Sequence, residues 1–116
     1  MKATRILWVS RHKPLPSQRE WLEKRFGRVE IYQDPNPFDS AEDILARFKR
    51  GHYDEMVVVA PLSVIARLTE LGVKPLWAEM RVVSSPEEAE VEASGRLYRF
   101  ERFRRIKAVR IEFEEV

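Results

Sequence analysis

The sequence predicts a small three-layer α/β domain, and two observations carry that prediction. First, Ile6-Leu7-Trp8-Val9, Met56-Val57-Val58-Val59-Ala60 and Pro75-Leu76-Trp77-Ala78 are apolar runs that end in Ser10-Arg11-His12, Pro61-Leu62-Ser63 and Glu79-Met80-Arg81. Runs of this length without polar alternation are strands buried on both faces, as in a parallel sheet covered by helices. Second, the segments between them repeat apolar residues at helical spacing and close on glycine.

Taken in order, the first strand runs into Ser10-Arg11-His12-Lys13-Pro14, and Pro14 and Pro16 stiffen the loop that follows. Ser17-Gln18-Arg19-Glu20 reads as a capping box, the serine oxygen and the glutamate carboxylate satisfying the first free amides of a helix. Trp21, Leu22, Arg25 and Phe26 form its inner face, and Gly27 stops it. Val29-Glu30-Ile31-Tyr32 is a short strand, and Asp34-Pro35-Asn36-Pro37 is a loop because each proline biases its predecessor away from helix. Ser40 opens a second helix with Ile44, Leu45 and Phe48 at core spacing and Gly51 as its stop. The run Met56–Ala60 is the central strand. Ser63 is placed to cap a third helix carrying Val64, Ile65, Leu68 and Leu71, ending at Gly72. The fourth strand starts near Pro75 and extends to Val83.

Right-handed crossovers between these units give a parallel sheet with helices on both faces, for which 2-1-3-4 is the simplest order, a Rossmann/flavodoxin-like core over residues 1–83. Residues 84–95, with Glu87, Glu88, Glu90 and Glu92, read as an exposed acidic loop. Residues 96–116 read as an antiparallel β extension: a strand at Arg96–Phe100, and a half-exposed one in which Val109, Ile111 and Phe113 alternate with Arg110, Glu112 and Glu114. Residues Arg102 to Ile106 fit either strand or helix, since Phe100, Phe103 and Ile106 also occupy one helical turn. Trp8 and Trp77 are expected in the core, and Trp21 is expected to pack its helix on the sheet.

Bulk composition narrows the function. At 116 residues with 44% hydrophobic and 34% charged content, the chain forms a single domain with a real core. No apolar run approaches the roughly 18 residues of a membrane span, and the first apolar run is not a signal peptide, so a cytoplasmic protein is expected. Zero cysteines exclude disulfides, thiolate nucleophiles and cysteine-bound metals. Asn36 is the sole asparagine and Gln18 and Gln33 the sole glutamines, a thermophile-like composition alongside abundant Glu and Arg. The net charge of +2 is too small to define a polyanion binder by itself.

In open α/β sheets ligands bind outside the carboxyl ends of the strands. That rule selects Ser10, Arg11, Ser63 and Arg81 as ligand-binding candidates, with His12 and Glu79 as catalytic ones. Arginine offers a planar fork for phosphate or carboxylate, and histidine titrates near neutrality. Glu79 is placed to orient Arg11 or His12, to act as a general base, or to form a structural ion pair. No Gly-x-Gly is present, so a glycine-cradled nucleotide is not expected. The two histidines, His12 and His52, lie far apart in the chain, so neither a metal site nor a cofactor is expected. Ser10 or Ser63 with His12 and Asp34 completes a hydrolase triad on paper, without the strand–turn–helix elbow that such a nucleophile needs.

The leading expectation is a binder of a small anionic or nucleotide-type ligand, with metal-independent phosphodiester chemistry as its catalytic extension. At the level of fold alone, the pattern is similar to the ligand-sensing Rossmann-like domains that accompany CRISPR systems; that resemblance implies a cyclic oligonucleotide held at strand ends across a dimer, and it assigns no residue. A second expectation is a nucleic-acid-binding accessory protein that uses Arg99, Arg102, Arg104, Arg105 and Lys107, interleaved with Tyr98, Phe100 and Phe103. Strand alternation accounts for the same pattern by burying the aromatics and solvating the arginines. A third is an interaction module that forms a homodimer through its last strand.

Overall fold

The computed structural model describes residues 2–116. Six strands and three helices follow one another as β1 (Thr4–Val9), α1 (Pro16–Phe26), β2 (Val29–Asp34), α2 (Ala41–Arg50), β3 (Glu55–Val58), α3 (Leu62–Glu70), β4 (Leu76–Val83), β5 (Val91–Ala93) and β6 (Arg96–Arg105). They build one mixed sheet of order β2-β1-β3-β4-β6-β5. The first four strands are parallel in the order 2-1-3-4, and β6 and β5 add antiparallel strands beyond β4.

Alternation along β1 and β3 explains the layers. Leu7 and Val9, with Met56 and Val58, face Ile44 of α2 and Ile65 and Leu68 of α3. Ile6 and Trp8, with Val57, face the opposite side, where they meet Leu22 of α1 and Leu76, Phe100 and Phe103 of the outer strands. Each of these residues is at most 8% exposed, and each fully buried large side chain contributes about 1.5–3 kcal/mol. Strands that are apolar on both sides need a helix layer on each.

β4 pairs with β3 only at Leu76, then runs past it with β6 alongside for its whole length. Their register shifts between Glu79 and Met80: Glu79 lies opposite Arg102 and Met80 opposite Phe100, leaving Glu101 as the extra residue of a β-bulge. The bulge brings Phe100 and Phe103, three residues apart, onto one face, where Phe103 meets Trp8, Trp21 and Phe100 edge-on or tilted. The helical spacing of this segment is therefore a strand with one residue inserted.

Five sequence expectations need correction. α1 begins at Pro16, whose fixed φ suits a first helical residue, so the cap moves upstream of Ser17 to Leu15. Gln18 accepts the Leu15 N–H at 2.8 Å, and Ser17 instead donates to the Glu90 carboxylate. Ser63 is likewise inside its helix: Pro61, held at φ −57°, is the cap, and its carbonyl accepts from Val64 and Ile65. The acidic segment 84–95 is not all loop, because Val91–Ala93 pairs with β6 through a Ser94-Gly95 turn in which both residues have positive φ. Residues 106–116 form no strand, since nothing in the sheet pairs with them. Trp77 is 45% exposed, because strand alternation turns it away from the α1-side core that Leu76, Ala78 and Met80 join.

Two outcomes follow for stability. Phe103→Ala empties the aromatic cluster that fastens the β4–β6 arm to the core, and urea unfolding is expected to show a loss of about 3–5 kcal/mol. Glu90 accepts from both Ser17 and the Phe100 amide; Glu90→Ala leaves that amide unpaired and is expected to lower stability by about 1–3 kcal/mol in the same assay.

Candidate functional site

The carboxyl end of β1 is locked by the chain around it. Trp8 donates its indole N–H to the His12 carbonyl at 2.8 Å, folding residues 10–12 back over their own strand. Ser10, 9% exposed, accepts the His12 N–H at 3.1 Å through its hydroxyl. Gln33 on β2 donates to the Ser10 carbonyl at 3.1 Å. The backbone of the turn is thereby fixed, while the side chains of Arg11 and His12 stand exposed.

β2 ends opposite it, Asp34 lying in register with Val9. The loop that follows is shaped by Arg47 of α2, which donates to the Asp34 carboxylate at 3.3 Å, the Asn36 carbonyl at 3.2 Å, the Pro37 carbonyl and the Asp43 carboxylate at 2.9 Å. The Asn36 N–H occupies the other Asp34 oxygen at 3.0 Å. Asp34 is thus fully engaged although it lines the opening.

Between the two ends lies a crevice of about 340 Å³. Ser10, Arg11 and His12 form one wall, residues 34–38 the other, and Val9 and Val59 lie at the strand ends. Val59 donates its N–H to the Val9 carbonyl at 3.0 Å, closing the gap between β1 and β3 so that the crevice opens toward β2. Its character is mixed: Val59, Phe38, Pro35 and Pro37 are apolar, while the side chains of Arg11 and His12 are polar and make no hydrogen bond or ion pair among the described residues. A second hollow of about 350 Å³ lies behind the same loop, against Tyr32, Arg50 and Tyr53. There Tyr32 donates to Glu30, a bond that pushes its phenol above the ordinary value.

Of the residues singled out in the sequence, Ser10, Arg11 and His12 line the crevice together. Ser63, Glu79 and Arg81 are not among its lining. Ser63 is exposed in the first turn of α3. Glu79 does not orient Arg11 or His12: it is held by Arg102 at 3.3 Å and by Arg104, its cross-strand neighbours on β6. Arg81 pairs with Glu101 at 2.5 Å on the same arm. The reason is the length of β4, which carries both residues past the ends of the parallel strands. Arg105 and Arg99 of β6 are also engaged. Arg105 meets both oxygens of Glu55 at 2.9 and 3.0 Å, a pairing that raises it above the ordinary value, and Arg99 donates to the Glu88 carbonyl at 3.1 Å.

Gln33, Arg47, Phe38 and Val59 belong to the site without having been singled out. The adjacency of β1 and β2 in the predicted order brings Ser10 and Asp34 together, and Asp43 and Arg47 show helical i,i+4 charge spacing. No three histidine, aspartate or glutamate side chains among the described residues cluster in a way that can hold a metal ion. No helix there is long and apolar enough to cross a membrane. No protein-family model, curated protein or solved structure matches this chain.

Arg47, 14% exposed at its side chain, holds one wall of the crevice. Arg47→Ala frees the 34–38 loop and leaves Asp34 without its cation; the expected loss is about 1.5–3 kcal/mol by denaturant unfolding.

Proposed function

We propose that the crevice between the ends of β1 and β2 binds a small anionic ligand of nucleotide type. The observation that carries this reading is that Arg11 and His12 line the crevice with side chains that make no hydrogen bond or ion pair among the described residues, whereas Arg47, behind the opposite wall, is committed to Asp34 and Asp43. A guanidinium fork beside apolar walls suits a ligand with a phosphate at one end and a ring at the other. Arg11 is the phosphate clamp and His12 a donor or proton-transfer group. Ser10 already accepts from the His12 amide, so its own hydroxyl hydrogen is left to donate.

For a phosphodiester ligand the same inventory supports metal-independent chemistry, with His12 as the acid–base residue. Glu79, Ser63 and Arg81 are left out of this site. The ion pairs of β6 weaken the case for nucleic acid there, because Glu79 and Glu55 neutralise much of its charge.

A thermal-shift series with mononucleotides, cyclic oligonucleotides and short RNA and DNA separates the readings. A nucleotide present at 100 times its Kd is expected to stabilise by about 2.7 kcal/mol. Arg11→Ala/His12→Ala is expected to abolish that shift without changing the unliganded melting temperature. A shift given only by RNA or DNA, erased by salt and unchanged in the double variant, transfers the function to the arginines of β6.

A further inference from the structure

Two features of the β4–β6 arm lack partners, and they complement each other. The first is the segment after β6. Ile106 donates its N–H to the Pro75 carbonyl at 2.9 Å, and Ile106 and Val109 pack on the α2–α3 side of the core. Beyond Val109 the chain keeps a strand's alternation, Ile111 and Phe113 apolar between Arg110, Glu112 and Glu114, yet no strand among the described residues pairs with it. Ile111 is 64% and Phe113 93% exposed. Apolar side chains left out at every second residue mark a strand without its sheet.

The second feature is the outer edge of β6. β4 pairs with this strand along its length on one side, but on the other β5 covers only Arg96–Tyr98, and the Glu90 carboxylate takes the Phe100 amide. From Glu101 to Arg105 that edge makes no backbone hydrogen bond among the described residues. Because Ile106 turns its N–H toward β4, alternation turns the peptide groups of Phe103 and Arg105 outward. Arg102, Arg104 and Arg105 flank the open stretch.

We propose that residues 109–114 of one copy add as a strand to the outer edge of β6 in a second copy, and that the exchange is reciprocal. Strand addition supplies the missing backbone partners to both segments. Charge selects the occupant: Arg102 and Arg104 share the single Glu79 carboxylate, leaving surplus positive charge at this edge for Glu112, Glu114 and Glu115 of the tail, while on the sheet's other edge, β2, Glu30 and Asp34 already hold Arg5 and Arg47 and offer the tail no cation. Two arginine-lined β6 edges repel each other as well, which disfavours direct edge-to-edge pairing. The tail does not return to its own β6, because Ile106 and Val109 fasten its root on the α2–α3 side. Identical copies exchanging identical segments close into a twofold dimer. This inference is independent of the ligand crevice.

Sedimentation equilibrium of the full chain tests it. The wild type is expected to have a dimer's mass. Ile111→Asp/Phe113→Asp, at two exposed positions, is expected to sediment as a folded monomer with unchanged circular dichroism. Glu112→Lys/Glu114→Lys places cations against the arginines and is expected to raise the dimer Kd at least about tenfold at low salt. A monomeric wild type, or a dimer that survives the Asp substitutions, overturns the exchange. A dimer indifferent to the Lys substitutions overturns β6 as the edge that receives the tail.

Discussion

Burial of β1 and β3 on both faces is the constraint on which the remaining structure depends. Ile6, Leu7, Trp8, Val9, Met56, Val57 and Val58 are each at most 3% exposed, so neither side of the sheet centre can be left to water. α2 and α3 must cover one side and α1 the other, and helices on both sides require crossovers that run in opposite directions from β1. β2 is sent to one flank and β3 and β4 to the other. The divergence leaves a crevice at the carboxyl ends of the central strands, so the position of that crevice is a consequence of how the core is packed.

The crevice depends on the core in a second, more local way. Trp8 is a core residue, yet its indole N–H holds the His12 carbonyl and so curls the turn that presents Arg11 and His12. Arg47 does the same for the opposite wall from α2. Both walls are therefore fixed by side chains that belong to the packed elements, while the side chains of Arg11 and His12 remain uncommitted among the described residues. That is the preorganisation a binding site needs: backbone conformational entropy is lost on folding rather than on binding.

How much of this was legible in the sequence depended on whether a feature arises locally or from pairing. The apolar run Met56–Val58 predicts a central strand because continuous hydrophobicity has few other uses, and 2-1-3-4 is the simplest order that puts helices on both faces of a parallel sheet. Ser10, Arg11 and His12 come together because they are consecutive. Glu79 and Arg81 were misplaced because the sequence does not show how far β4 outruns β3; that is set by its pairing with β6 and by the bulge at Glu101. The capping expectations at Ser17 and Ser63 failed beside Pro16 and Pro61, which fix the backbone where each helix starts. The hairpin turn Ser94-Gly95 was a readable signal, obscured by the acidic residues before it. The alternation over 109–113 is real in the sequence and has no strand partner among the described residues.

The claim that the β1–β2 crevice is the binding site is tested most directly by following backbone amide NMR resonances of the full chain during titration with inorganic phosphate and with AMP. The account predicts saturable shifts concentrated in residues 9–12, 34–38 and at Val59, larger for AMP than for phosphate because the apolar wall engages the ring. Shifts centred on residues 99–105, or a spectrum unchanged at millimolar nucleotide, contradict it.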